Sequence, residues 1–238
     1  MLARLAGLSA GPSQVRVGRM VRRLATLAGL EPGETERLIA VIPLYDIGMS
    51  SVSEAIQRKP GPLDDLELGV LHRHSEIGAR LLTGYRSPLF DFAAELALCH
   101  HEFWNGEGYP RKLVAEQIPI AARIVALADA FDGLLAERLH GPAWSLENAV
   151  QHIAVEAGRR YDPILAQLFL DDLPMMLALR GPADDRDPHD YGADQPMHRA
   201  TPVRGPLVRR TTLAEGLLQR SVRVSHACLP VPPTADLA

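Results

Sequence analysis

The stretch His100-His101-Glu102-Phe103-Trp104-Asn105-Gly106-Glu107-Gly108-Tyr109-Pro110 joins two adjacent imidazoles to a tight Gly-x-Gly turn that ends in Tyr-Pro. Two neighbouring histidines alone read equally well as one core and one surface residue. Their setting favours a shared ligand set. Four of the nine histidines, His72, His74, His100 and His101, fall between positions 72 and 101. His74 lies 26 residues before His100, Asp46 lies 28 before His74, and Asp129 lies 28 after His101. Hydrolytic metal sites take imidazole and carboxylate ligands and keep a position for water. Asp46, His74, His100, His101 and Asp129 would offer three nitrogens and two carboxylates to one or two divalent ions. A carboxylate that bridges two ions is the usual device of a two-metal phosphoesterase. Arg123, six residues before Asp129, could add a bidentate fork for phosphate, or be a surface arginine with a packed stem.

Such ligands must be carried on successive helices, and the periodicity supplies them. Val17, Met20, Val21, Leu24, Leu27 and Ala28 repeat at helical spacing over residues 14–28. Gly29 ends that run. Thr35 to Asp46 is nearly all apolar, with Pro43 predicting a kink or a shortened helix. Residues 58–63 form a loop, and further helices are expected over Asp64–Leu82, Leu89–His100 and Ile118–Leu135, with another starting at Ser145. No sustained period-2 alternation marks a strand. The expected fold is all-α, a compact helical bundle.

From about residue 173 the texture changes, and the last 66 residues hold nine of the 19 prolines. The expected organisation is a short lead (1–12), a helical domain (13–172) and a low-order tail (173–238). Residues 180–206 read as disordered, and 211–220 as a short helix at most. His189, His198 and His226 read as solvated tail residues.

The composition excludes several classes. With 47% hydrophobic and 23% charged residues the chain is an ordinary globular protein. A net charge of -4 gives no polycationic footprint for a nucleic-acid polymer. No apolar run reaches the ~18–20 residues of a membrane span. The Arg-rich start is broken by Gly and Pro and does not read as a signal peptide. The two cysteines, Cys99 and Cys228, form no paired framework, which fits a reducing cytoplasm, and Cys99 reads as a buried structural thiol.

The ordered motifs point further. Tyr45-Asp46-Ile47-Gly48, Lys59-Pro60-Gly61, His74-Ser75-Glu76-Ile77-Gly78, His100-His101-Glu102 with Gly108-Tyr109-Pro110, Ile118-Pro119, Arg123-Ile124 and Asp129-Ala130-Phe131-Asp132 resemble the HD-GYP family over roughly residues 13–172. This is a branch of the HD metal-dependent phosphohydrolases that hydrolyses the bacterial messenger cyclic di-GMP. The resemblance implies that Asp46 bridges the metals and that His74, His100 and His101 ligate chiefly one ion. It implies that Asp129 closes the other ion's shell and that Arg123 contacts phosphate. Gly108, Tyr109 and Pro110 would form the signature loop beside the substrate, which in the family also meets partner proteins.

Three departures fall on one side of that site. The HD pair reads Tyr45-Asp46, a first-helix histidine is replaced by Ser13, and the lysine after the HD-x-G segment is Met49. A phenol with an ordinary pKa near 10 is a poor divalent-metal ligand. At most one well-formed metal site, for Fe, Mn or a similar ion, is therefore expected. Losing a single transition-state contact typically costs about 10²–10³ in rate. The expected function is a cyclic di-GMP phosphodiesterase of reduced activity. The alternatives are an inactive module that binds a cyclic dinucleotide or a protein partner, and an enzyme for another phosphate ester. No input domain fits before residue 13, so an input signal would come from a partner chain or from the tail.

Overall fold

The computed structural model describes residues 10–136 and 143–182, whose regular elements are all helices. In chain order the helices are α1 (Pro12–Leu27), α2 (Pro32–Val41), the short α3 (Glu54–Gln57), α4 (Asp65–Leu82), α5 (Pro88–Cys99), α6 (Ile120–Leu134), α7 (Leu146–Glu156), α8 (Pro163–Asp171) and α9 (Leu173–Arg180). Among the described residues the only β pairings are two isolated bridges, Asn105 with Val114 and Ala157 with Tyr161. The all-α expectation is met.

Local chemistry sets the helix starts. Asp64 caps α4 by accepting from the Leu66 and Glu67 amides at 2.9 Å, and the Glu67 carboxylate accepts from the Asp64 amide at 2.8 Å. Ser145 and Asp162 cap α7 and α8 in the same sense. Pro43 acts as its sequence position predicts. Helix α2 stops at Val41, and Ile42–Leu44 tightens into a 3₁₀ turn. A second 3₁₀ segment, Ile47–Ser51, follows, so Tyr45 and Asp46 stand on a tight connector rather than on a helix.

The core forms where the apolar stripe of α1 (Val17, Met20, Val21, Leu24) meets α6 (Ile124, Leu127, Ala128, Phe131), all essentially without solvent contact. Phe131 meets Phe169 of α8 edge-to-face at 4.9 Å. Helices α4 and α5 pack side by side, and Ile47–Ser51 lies across α4. That last contact has no room for a side chain. A Cβ on Gly48 would stand 1.9 Å from the His74 carbonyl oxygen, so only glycine lets the connector approach α4 this closely.

Helix α9 lies past residue 172, where the sequence reads as entering a low-order tail. It packs on α1, with Met176 fully buried. Arg23 of α1 pairs with Asp172 at 2.7 Å just before it. Pro174 in its first turn is compatible with helix, and eight residues are too short to show a clear period. The rest of the expected tail, including the helix at 211–220, His189, His198, His226 and Cys228, lies outside the described residues.

Where α7 turns into α8, His152 meets Trp144 edge-to-face at 5.6 Å, and its Nε2 lies 3.4 Å from Tyr161 Oη. Burial, reinforced by the Arg160 charge, lowers its pKa from 6.5 to about 4. Between those values the unfolded chain binds a proton at this position that the folded chain does not. Folding stability contributed here is therefore lost as pH falls from about 6.5 toward 4. Urea denaturation of wild type and His152→Gln across that window should show a smaller acid loss in the variant; equal slopes would contradict this.

Candidate metal centre

Three segments deliver four donors to one point. Asp46 comes from the connector after α2, His74 from the middle of α4, His100 from the C-cap of α5, and His101 from the residue after it. Their ligand atoms all lie within 4.8 Å of one another. Asp46 Oδ1 is 3.3 Å from both His74 Nε2 and His100 Nε2. His74 Nε2 lies 3.4 Å from His100 Nε2 and 3.0 Å from His101 Nε2.

The second ring nitrogens set the tautomers. His74 Nδ1 donates to the Leu71 carbonyl at 2.7 Å, and His100 Nδ1 to the Ala97 carbonyl at 2.9 Å. With Nδ1 protonated, a neutral imidazole presents a lone pair at Nε2, the arrangement that outer-shell carbonyls impose on metal-binding histidines. The His101 ring is kept neutral, since burial and the neighbouring His100 and His74 push its pKa well below 6.5. Burial pushes the Asp46 carboxyl up, but hydrogen bonding to the His100 and His74 rings, for which a proton must lie between Nε2 and Oδ1, holds it well below the usual carboxylate range. One carboxylate therefore faces three buried imidazole nitrogens. That donor set fits a divalent cation of the first transition row.

The opposite side of the centre is closed by other chemistry. Tyr45 is 3% exposed, and its Oη donates to Asp129 Oδ1 at 2.6 Å. Burial, with Asp129 and Asp46 nearby, pushes the phenol pKa well above 10, so the hydroxyl keeps its proton and acts as a donor. Asp129 is thus capped by a hydroxyl and stands outside the four-donor group. One turn along α6, the buried Asp132 carboxylate accepts from Arg16 Nε and Nη2 at 2.8 and 2.9 Å and from Ser13 Oγ at 2.9 Å. Arg180 of α9 completes the cluster, with Nε 2.9 Å from the same carboxylate.

Sequence comparison now decides the family. A model described as "HD domain" matches residues 3–165. The chain belongs to the HD domain family. Within it, the chain stands in the HD-GYP branch that its motifs resemble. It is 36% identical over 170 residues to the 3'3'-cGAMP-specific phosphodiesterase 2 of Vibrio cholerae, covering 71% of this chain and 33% of that protein. It is 38% identical to the cyclic di-GMP phosphodiesterase response regulator RpfG of Xanthomonas campestris, covering 62% and 39%. With the cyclic di-GMP phosphodiesterase of Thermotoga maritima it shares 34% identity, covering 80% and 51%. The chain spans between a third and about half of these curated relatives. The solved fold of an HDG"Y"P protein from Bdellovibrio bacteriovorus is similar, with a TM-score of 0.55 at 20% identity over 68% of this chain and 51% of that one.

In this HD-GYP chain Asp46, His74, His100 and His101 come together as the sequence suggested. Asp129 does not join them. Arg123 is committed elsewhere: its Nε donates to the Ile118 carbonyl at 2.9 Å and its Nη1 to Asp162 Oδ2 at 2.6 Å, which fastens α6 to the cap of α8. Met49, in place of the family lysine, is buried.

The signature loop is held on the centre from within. Gly108 packs so closely that a Cβ would stand 2.2 Å from the Phe103 amide nitrogen. The Tyr109 amide donates to the His101 carbonyl at 3.1 Å, and the Tyr109–Pro110 peptide is cis. Glu102, 3% exposed, accepts from the Arg111 and Leu113 amides at 2.6 and 2.9 Å. Sequence position alone does not announce this role of Glu102, nor those of His72, Gly48 and Arg180. The histidine count flagged His72, but only folding brings Arg180 to Asp132.

Plasma-emission analysis of protein purified without chelator should find one divalent ion per chain. His74→Ala should abolish uptake, whereas Tyr45→Phe, which removes only the hydroxyl on Asp129, should leave one ion. Loss of the ion in Tyr45→Phe would place the phenol in the ligand set and contradict the arrangement above.

Proposed function

We propose that this chain is a phosphoric diester hydrolase of the HD-GYP type that acts on cyclic di-GMP, with one divalent ion and at reduced rate. The convergence of Asp46, His74, His100 and His101 within 4.8 Å carries this reading. Relatives named as cyclic di-GMP and 3'3'-cGAMP phosphodiesterases support it and point to a cyclic dinucleotide as substrate. A bound divalent ion would polarise a phosphoryl oxygen and lower the pKa of a coordinated water.

The chain's own residues do the rest. Three imidazole nitrogens and the Asp46 carboxylate would hold the ion, with a quarter of the Asp46 side chain still open to solvent. Gly108, Tyr109 and Pro110 border the centre on the side where the substrate is to lie. Arg123 enters as a phosphate contact through its remaining Nη hydrogens, because two of its five donors are engaged. A protein partner would meet the same Gly108-Tyr109-Pro110 loop, beside the exposed Lys112 and Val114.

Reduced rate follows from the side that departs from the family. Tyr45 binds Asp129 where a second ion would need both positions, and Ser13 is tied to Asp132. Met49 supplies no cation for a substrate phosphate. Each lost contact of this kind costs about 10²–10³ in rate.

These same three positions favour a second reading, a module that binds a cyclic dinucleotide without turning it over. Chromatography of cyclic di-GMP incubated with the Mn²⁺- or Fe²⁺-loaded chain should reveal slow formation of the linear dinucleotide or GMP, lost in His100→Ala. Tight binding with no product would reject the enzyme in favour of the module. Combining Ser13→His, Tyr45→His and Met49→Lys should raise turnover by at least about 10²-fold if the lost contacts are the cause.

A further inference from the structure

The Tyr109 ring has a neighbour that the metal centre does not account for. It lies flat against His72, with centroids 3.9 Å apart and planes 15° from parallel. It is also stacked on His101, at 5.0 Å and 24°, and meets His74 edge-on at 6.4 Å. Its hydroxyl is buried and makes no hydrogen bond. The placement of Tyr109 therefore rests on its ring faces and on the hydrogen bond that its backbone N–H donates to the His101 carbonyl.

His72 is two residues before His74 on α4 and half-buried, so it stands at the edge of the centre. Successive helical residues turn by about 100°, so His72 leaves the helix on a different side from the donor His74. It cannot join the four-donor group, and it is not in it. Its flat ring instead meets the loop residue that covers a ligand. Backbone carbonyls orient the rings of His74 and His100 through Nδ1. The His101 ring has the face of Tyr109 against it.

We propose that His72 is a positioning residue of the metal centre: its imidazole face holds Tyr109 flat on His101 and thereby fixes the ring of that ligand. This rests on the reading of the four donors as a metal site. His72 touches neither the ion nor the reacting phosphate. It acts through two stacked rings, so a flat apolar ring should replace it and a small side chain should not.

The test compares wild type, His72→Ala and His72→Phe in the full chain, with two readouts. Co²⁺ titration followed by its visible absorption gives metal affinity, and amide hydrogen exchange of chelator-treated protein reports loop order without metal. His72→Ala should weaken Co²⁺ binding by about 10-fold, the lower end of what outer-shell partners contribute. It should also speed exchange of the Tyr109 amide while α6 stays protected. His72→Phe should restore both to near wild type. Combining His72→Ala with Tyr109→Leu should weaken binding no further than Tyr109→Leu alone, because the two act in one chain of contacts. Unchanged affinity and exchange in His72→Ala would overturn the inference, as would additive losses or a Phe variant as poor as Ala. If wild type takes up no Co²⁺, the metal reading itself fails, and the exchange readout alone judges the stack.

Discussion

Lone pairs and an anion brought within 3.0–3.4 Å of one another repel unless positive charge lies among them. The centre of this protein is built on that constraint. Three imidazole nitrogens and the Asp46 carboxylate are forced together by packing that has no slack. The connector carrying Asp46 crosses α4 at a glycine that cannot bear a Cβ, and backbone carbonyls one turn back orient the His74 and His100 rings. Tyr45 stands against His100 as an edge-on ring, so the apolar core comes up directly behind the donors. The bundle thus holds a polar cluster that is costly unless a cation or shared protons satisfy it.

The other half of the site shows how a fold resolves the same charge problem with its own side chains. Asp129 and Asp132 are both buried, one helical turn apart on α6. The Tyr45 hydroxyl donates to the first, and the Arg16 guanidinium and Ser13 hydroxyl donate to the second, with the Arg180 charge 2.9 Å away. Removing one partner of such a buried charged set typically costs about 3–5 kcal/mol, because the remaining charge stays desolvated. Of the residues that depart from the family, Tyr45 is part of the core, Met49 is buried, and the half-buried Ser13 is tied to Asp132. Helix α9 takes part in this, since Arg180 ties it to Asp132 beyond the stretch that matches the HD domain model.

Much of this was legible in the chain itself. Helical period, the Asp64 and Ser145 caps and the Pro43 stop are local properties, and the helices follow them closely. The His and Asp spacings pointed to a set of candidate donors, Asp129 among them, because a metal demands particular atoms and few residue types supply them. Arg123 and Asp129 were less legible. Both have chemistry that suits a phosphate or metal site, and each meets a partner first, Asp162 in one case and the Tyr45 hydroxyl in the other. Those partners are 39 and 84 residues away in sequence, so no local pattern announces them.

The sequence by itself determined the all-α class, offered five candidate donors, and placed serine and tyrosine where the family resemblance implies histidines at positions 13 and 45, since these depend on residue type and short-range geometry. Tertiary structure decided which donors meet, that a protonated tyrosine closes Asp129, that α9 belongs to the bundle, and that His72 stacks on the signature tyrosine. Those outcomes depend on which side chains come within 3–4 Å across the fold, where burial fixes their protonation and leaves no water to take a missing partner's place.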